Sequence, residues 1–308
     1  MSRSALLSGL CALLIGLATP AAAREKASAS LAERDAQLLA DALASFEPQR
    51  EGVVDLYAIG VAGDGTEDVF RNEIEYFPRL ARQRLHARGA LALISHPDSL
   101  QARPRPLATY DNLQKALQGV ARRMDPEEDI LLLYLTMHGT PEHELALYFP
   151  PFVEDALVPE DLRALLDEAG FRHRVLAISA CYSGGFIPEL RDPDTLVVTA
   201  SRADRASFGC GSESSVTWFG RAWLVEGLNR ETGFVDAYEY ATRRVREWEQ
   251  AEDLQASFPQ LWKGKRIAAR LRAWQTQTPW GESVAYPYPM EEPGSTEEKP
   301  EAKRDAKP

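Results

Sequence analysis

Ile130–Gly139 reads ILLLYLTMHG, and Val175–Gly185 reads VLAISACYSGG. Each begins as an unbroken apolar run. Each then stops at a residue with chemistry, His138 in the first and Cys181 in the second. A run of this length without polar alternation suits a strand that helices cover on both faces. Val53–Gly60 (VVDLYAIG), Ala90–Ser95 (ALALIS) and Thr195–Ala200 (TLVVTA) repeat the pattern. Glu144–Phe149 predicts a small extra strand.

Helical spacing fills the gaps between these runs. Leu31–Phe46 is amphipathic, and Asp68–Arg88 predicts a helix broken at Pro78, which removes a backbone donor. Thr109 predicts an N-cap, followed by Leu113, Ala116, Leu117, Val120 and Met124 on one face. Leu162, Leu165, Leu166 and Ala169 mark another helix, stopped by Gly170. Two more are predicted over 216–229 and 234–249. Strands alternating with helices imply right-handed crossovers and an α/β, doubly wound, mainly parallel sheet flanked by helices. Residues 31–274 form one domain, long enough to bury a sizeable core.

The ends of the chain read differently. Arg3, an apolar stretch Ala5–Ala18 and the small-residue exit Ala21-Ala22-Ala23 predict a secretory signal over 1–23, cleaved after Ala23. Residues 24–30 are then a short linker, and the product is expected outside the cytoplasm, secreted or periplasmic. No later apolar run reaches about 18 residues, so no membrane span is expected after cleavage. Residues 275–308 read as a low-complexity, disordered tail. Its last part, EEPGSTEEKPEAKRDAKP, has no aliphatic core former. Tyr286 and Tyr288, set between prolines, are candidates to strap the tail to the body. The net charge of −11 argues against a nucleic-acid partner, which would need basic clusters. Oligomeric state is not legible.

In open α/β sheets, ligands bind beyond the carboxyl ends of the strands. If the two quoted strands are neighbours, His138 and Cys181 face one crevice, an acid/base group beside a nucleophile. Gly139 lets a substrate approach the backbone and can offer its N–H to an oxyanion. Gly184-Gly185 allow a tight turn into a short helix. Ser183 is expected to cap that helix; it is no hydrolase nucleophile, because G-x-S-x-G would need glycine where Cys181 stands. His138, His143 and Cys181 lack the H-E-x-x-H spacing, so no metal and no cofactor are expected. His86, His96 and His173 read as solvated. Of three cysteines, Cys11 lies in the signal. Cys210 reads as a free, small apolar residue near the pocket, with a bond to Cys181 as the other reading. A redox pair ranks last, because the spacing is not C-x-x-C.

The paired motifs, LLLYLTMHG then VLAISACYSGG, resemble the legumain-like branch of the caspase-related cysteine peptidases. The likeness continues through VVTASRADRASFGCGSESSVTWFGRAW and covers about residues 53–224. It implies a caspase-like, three-layer α/β/α fold and a cysteine endopeptidase acting on peptide or protein substrates. Under it, Cys181 matches the nucleophile and His138 the catalytic histidine. The N–H groups of Gly139 and Cys181 match the oxyanion hole. Arg71 and Ser207 match two pocket residues. The family's acidic pocket positions stand here as Ser179 and Arg221, which puts cleavage after asparagine in doubt. With Arg71 and Arg221 unpaired, the pocket would favour an acidic side chain. The family's ligases make transpeptidation an alternative, and a catalytically silent binding module on the same fold is another. The large C-terminal prodomain of vacuolar legumains has no counterpart in this sequence.

Overall fold

The computed structural model describes residues 20–211 and 214–290, with side chains from residue 29 onward. Most of the predicted signal, residues 1–19, and residues 291–308 lie outside the described residues. The order is α1 (Pro20–Ala44), β1 (Leu56–Ala62), α2 (Asp68–Gln83), β2 (Gly89–Ile94), α3 (Pro97–Leu100), α4 (Tyr110–Ala121) and β3 (Ile130–Thr136). A hairpin of β4 (Leu145–Phe149) and β5 (Val153–Leu157) follows, then α5 (Pro159–Glu168) and β6 (His173–Ser179). The chain continues with α6 (Ile187–Leu190), β7 (Thr195–Thr199), a π-helix (Gly220–Gly227) and α7 (Leu228–Arg230). It closes with α8 (Phe234–Ala251), β8 (Gln260–Lys263) and α9 (Ile267–Gln277).

The main sheet has six strands in the order β2-β1-β3-β6-β7-β8. Its first five strands run parallel, and β8 is an antiparallel edge on β7. Alternate residues of β3 enter opposite cores, Leu132 and Tyr134 in one, Leu131, Leu133 and Leu135 in the other. The first core packs α2, the π-helix, α8 and α9 around Phe219, Trp223, Phe234 and Trp274. The second packs α4, α5 and the hairpin. This is the three-layer α/β/α architecture with a mainly parallel sheet that the alternation implies. The chain crosses outward from β1 to β2 and then back over β1 to β3, so the strand order reverses between β1 and β3.

Several expectations change. Helix α1 begins at Pro20, so residues 24–30 are helical and not a linker. From Ala21 to Ala44 the sequence has neither Gly nor Pro, and proline is favoured at a first helical position. Helix α2 runs through Pro78, because Ile74, Phe77, Leu80 and Ala81 bury a continuous stripe on both sides of it. That packing outweighs the missing backbone bond. The tail also begins later than residue 275. Helix α9 reaches Gln277, and residues 278–290 strap across α2. Val284 is buried there, and Trp280, Tyr286 and Met290 pack on the first core. Tyr76 donates to Val284 O at 2.8 Å, and Val284 N donates to Asn229 at 2.7 Å. Among the described residues, no helix is long and apolar enough to cross a membrane.

Candidate active site

The parallel register of β3 and β6 ends at Thr136 opposite Ser179. Met137 N continues it, donating to Ser179 O at 3.4 Å. His138 and Cys181 therefore leave adjacent strands at matched positions, two residues past the last pair, and both are half-buried. The backbone of His138 is fixed by the hairpin, since Ala146 N donates to His138 O at 2.9 Å. Its ring stands edge-on to Phe70 of α2, with centroids 5.0 Å apart and planes at 87°. Gly139 lies flat against the carbonyl of Cys181, where a Cβ would overlap the oxygen. Only glycine fits a backbone pinned this closely.

Cys181 opens a sharp turn. Tyr182 is left-handed, with φ 57°, and its N–H donates to Arg205 O at 2.8 Å. Ser183 donates to Ala180 O at 2.7 Å, so it braces the turn and does not cap the helix that follows. The Cys181 sulfur accepts from Ser207 N at 3.2 Å, with Ser207 Oγ 3.6 Å away. Imidazole and thiol are not hydrogen-bonded to each other.

The remaining pocket candidates separate. Ser207 lies against the thiol. Ser179 is buried on β6, bonded to Thr217 Oγ1 at 3.0 Å, underneath the site and not in its opening. Arg71 pairs with Asp98 at 2.6 Å and Asp68 at 2.9 Å. Arg221 is buried in the π-helix, bonded to Glu226 at 2.8 Å and stacked 4.8 Å over Trp248. Both guanidiniums thus have carboxylate partners. The premise that unpaired positive charge selects an acidic substrate fails, and Arg221 is committed to the core.

The histidines also differ from expectation. His96 is buried, accepts from Asp98 N and meets Asp68 at 2.9 Å, while His173 is buried at the start of β6. His86 is exposed, and the His143 ring packs over Gly185 beside the turn. Among the described residues no three His, Cys, Asp or Glu side chains are grouped to hold a metal ion. Cys181 and Cys210 are free thiols. Burial, helped by the nearby Cys181, pushes the Cys210 thiol up to about 11.

Glu73, Tyr134, Thr217 and Phe70 border the site and are absent from the sequence-based set. One signal was available. Glu73 sits between Phe70, Ile74 and Phe77 on the buried stripe of α2, where a carboxyl is out of place.

Comparison with known proteins supplies three findings. No curated protein sequence matches the chain. Among solved structures, the crystal structure of caspase-1 from Spodoptera frugiperda is similar, at 14% identity and a TM-score of 0.44, over 71% of this chain and 89% of that one. Residues 111–269 match the family model described as the Peptidase C13 family, which bears out the legumain-like reading of the two motifs. That match runs over more than half of the 308 residues, from the helix before ILLLYLTMHG to the start of the last helix, and the chain belongs to the Peptidase C13 family.

Proposed function

We propose that the protein is an exported cysteine endopeptidase that cleaves peptide bonds through an acyl-enzyme on Cys181. The observation that carries the proposal is the β3–β6 register, which sets His138 and Cys181 at matched positions beyond neighbouring strands. The thiol proton passes to His138, and the sulfur attacks the scissile carbonyl carbon. The carbonyl electron pair moves to oxygen, facing the N–H groups of Gly139 and Cys181. The C–N bond then breaks as His138 returns a proton to the leaving amine. Water, giving a proton to His138, attacks the thioester and releases the acid and the thiol. Each step uses groups of the chain and water alone. Ser207, against the sulfur, lines the substrate side of the cleft, and Arg71 with its two aspartates borders it.

Export rests on Arg3, the apolar stretch 5–18 and the Ala21-Ala22-Ala23 exit. N-terminal sequencing of the exported protein should begin at Arg24; an intact N-terminus there removes the export reading.

The activity is tested with a peptide library and a peptidyl acyloxymethyl ketone that alkylates the thiol. Cleavage and labelling at Cys181 are expected. Adding a millimolar amine nucleophile separates hydrolysis from transpeptidation: free acid products support the hydrolase, ligated products the alternative. No labelling and no cleavage would leave a silent binding module.

A further inference from the structure

Glu73 is fully buried, yet no cation pairs with it among the described residues. Its two oxygens take different donors. Tyr134 OH, on β3, donates to Oε2 at 2.6 Å, and Thr217 N donates to Oε1 at 2.8 Å. The Gly220 backbone presses on Oε1 so closely that a Cβ would overlap it. Thr217 Oγ1 accepts from Gly220 N at 2.9 Å and bonds Ser179 Oγ at 3.0 Å. One residue before Glu73, Asn72 donates to Ser215 O at 3.0 Å, and Tyr286 of the strap donates to the same oxygen at 2.9 Å. Segment 215–220 is thus held from α2, from β6 and from the strap.

That segment supports the wall of the cleft. Trp218 N donates to Phe208 O at 3.0 Å, and the neighbouring Ser207 N meets the Cys181 sulfur. Two routes therefore join Glu73 to the nucleophile. One runs through Thr217 and Ser179 to the strand that carries Cys181. The other runs through Trp218 and Phe208 to Ser207. Residues 200–210 and 214–216 have no regular secondary structure of their own, and these bonds join others, such as Tyr182 N to Arg205 O and Arg202 N to Ser257 O, in holding them.

A buried carboxyl without a cation is costly, and burial pushes the Glu73 carboxyl above its ordinary range. Packing alone would be met by methionine or leucine. A carboxyl is the side chain that offers an acceptor to both donors at this spacing; glutamine offers one.

We infer that Glu73 is a positioning residue for substrate binding, a buried clamp that holds segment 215–220, and through it the Ser207 wall, against Cys181. The inference rests on the peptidase reading of the site.

The test uses the full-length protein and two alkylating probes of Cys181. Iodoacetamide needs only the thiol, whereas a peptidyl acyloxymethyl ketone also needs the wall. Glu73→Met keeps the volume and removes both acceptors. Its thermal midpoint should fall, because the buried Thr217 N and Tyr134 OH lose their acceptor, while the secondary structure is retained. Labelling by the peptidyl probe should fall about tenfold, the worth of one strong hydrogen bond. The iodoacetamide rate should stay within about twofold. In turnover, KM should rise and kcat change little. Glu73→Gln, which keeps one acceptor for Thr217 N, should recover part of the loss. If Glu73→Met fails to fold, Glu73→Gln carries the ratio test at Glu73 itself, and Thr217→Val tests the first route by cutting the hydroxyl links to Ser179 and Gly220. An unchanged ratio of the two labelling rates in a folded variant overturns the clamp. A wild-type protein that iodoacetamide modifies but no peptidyl probe labels overturns the peptidase reading instead, and the clamp with it.

Discussion

The two ends of the sheet's parallel strands are built from similar residue types and finished in opposite ways. At the amino ends, the buried aspartates are each closed off by hydrogen bonds. Asp55, before β1, accepts the Arg50 N–H at 2.8 Å and its guanidinium at 2.6 Å. Asp129, before β3, accepts from Asp55 N at 2.9 Å and Asp125 N at 2.8 Å. Asp194, before β7, is gripped by both arms of Arg266, and His173 Nε2 meets Glu127 O at 3.1 Å. At the carboxyl ends, His138 and Cys181 are half-buried and unbonded to each other. Under the proposed mechanism both must change partners, and full pairing there would lock them. The difference teaches that the amino rim is closed by buried aspartate bonds, while the carboxyl rim leaves His138 and Cys181 half-buried, as the proposed chemistry requires.

The largest expected effect breaks the two rims apart. Cys181→Ala should lower turnover by a factor of about 10³ or more while the thermal midpoint hardly moves. Asp194→Ala should do the reverse, costing about 2–3 kcal/mol in urea unfolding and leaving kcat/KM of the folded fraction unchanged. Activity surviving Cys181→Ala, or activity rather than stability lost in Asp194→Ala, would dissolve the distinction.

A second expectation concerns pH, chiefly at the amino rim. Desolvation pushes the buried Asp129 carboxyl up to about 6, with the charges of Asp55 and Glu128 adding to it. Its ordinary value is 3.8, so the folded state holds this proton more tightly than the unfolded one. The resulting stability is present below about pH 4 and is lost as pH rises through 6. Glu73 acts in the same direction. Asp194 acts in the other: the hydrogen bonds from Arg266 hold its carboxyl below 3.8, so its contribution is lost as pH falls. Stability should therefore decline on both sides of a maximum near pH 4. The Asp129 share is on the order of 2–3 kcal/mol between pH 4.5 and 7.5. Asp129→Asn should flatten that limb in denaturant titrations, and an unaltered slope would remove the assignment.

The smallest effect sharpens the carboxyl rim. The edge-on contact of Phe70 with His138 is of a kind worth about 0.5–1.5 kcal/mol. Phe70→Leu should lower kcat about three- to tenfold with KM nearly constant, because the imidazole loses its seat and the Ser207 wall is untouched. A rise in KM instead would place Phe70 in substrate binding.

How much of this was legible in the sequence depended on the length scale of each cause. Runs such as ILLLYLTM declare a doubly covered strand through their own composition, and the strand end then locates His138 or Cys181 without further help. Strand β5 (VEDAL) carries two exposed acids between its buried ends, and β8 (QLWK) is a partly exposed edge of four residues. Neither has an apolar signature. The pair of Arg71 with Asp98, 27 residues on, was beyond reach, whereas Arg71–Asp68 and Arg221–Glu226 are local pairs that the spacing alone could have offered. Ser215 and Tyr286 are separated by 71 residues. The stray carboxyl on the stripe of α2 was visible, but its donors, Tyr134 and Thr217, come together only through the fold.

The strap has a consequence for the order in which the molecule is made. Residues 284–290 leave the ribosome after every other described part of the chain. Until they emerge, Ser215 lacks the bond from Tyr286, and Tyr76 and Asn229 lack Val284. The sheet, Cys181 and His138 are all synthesised earlier, but the segment that packs beside Cys181 receives its last fastening at the end. A nascent chain therefore carries Cys181 and His138 well before it carries a finished place for a substrate, and a ribosome that stalls before residue 284 leaves the wall loosely held.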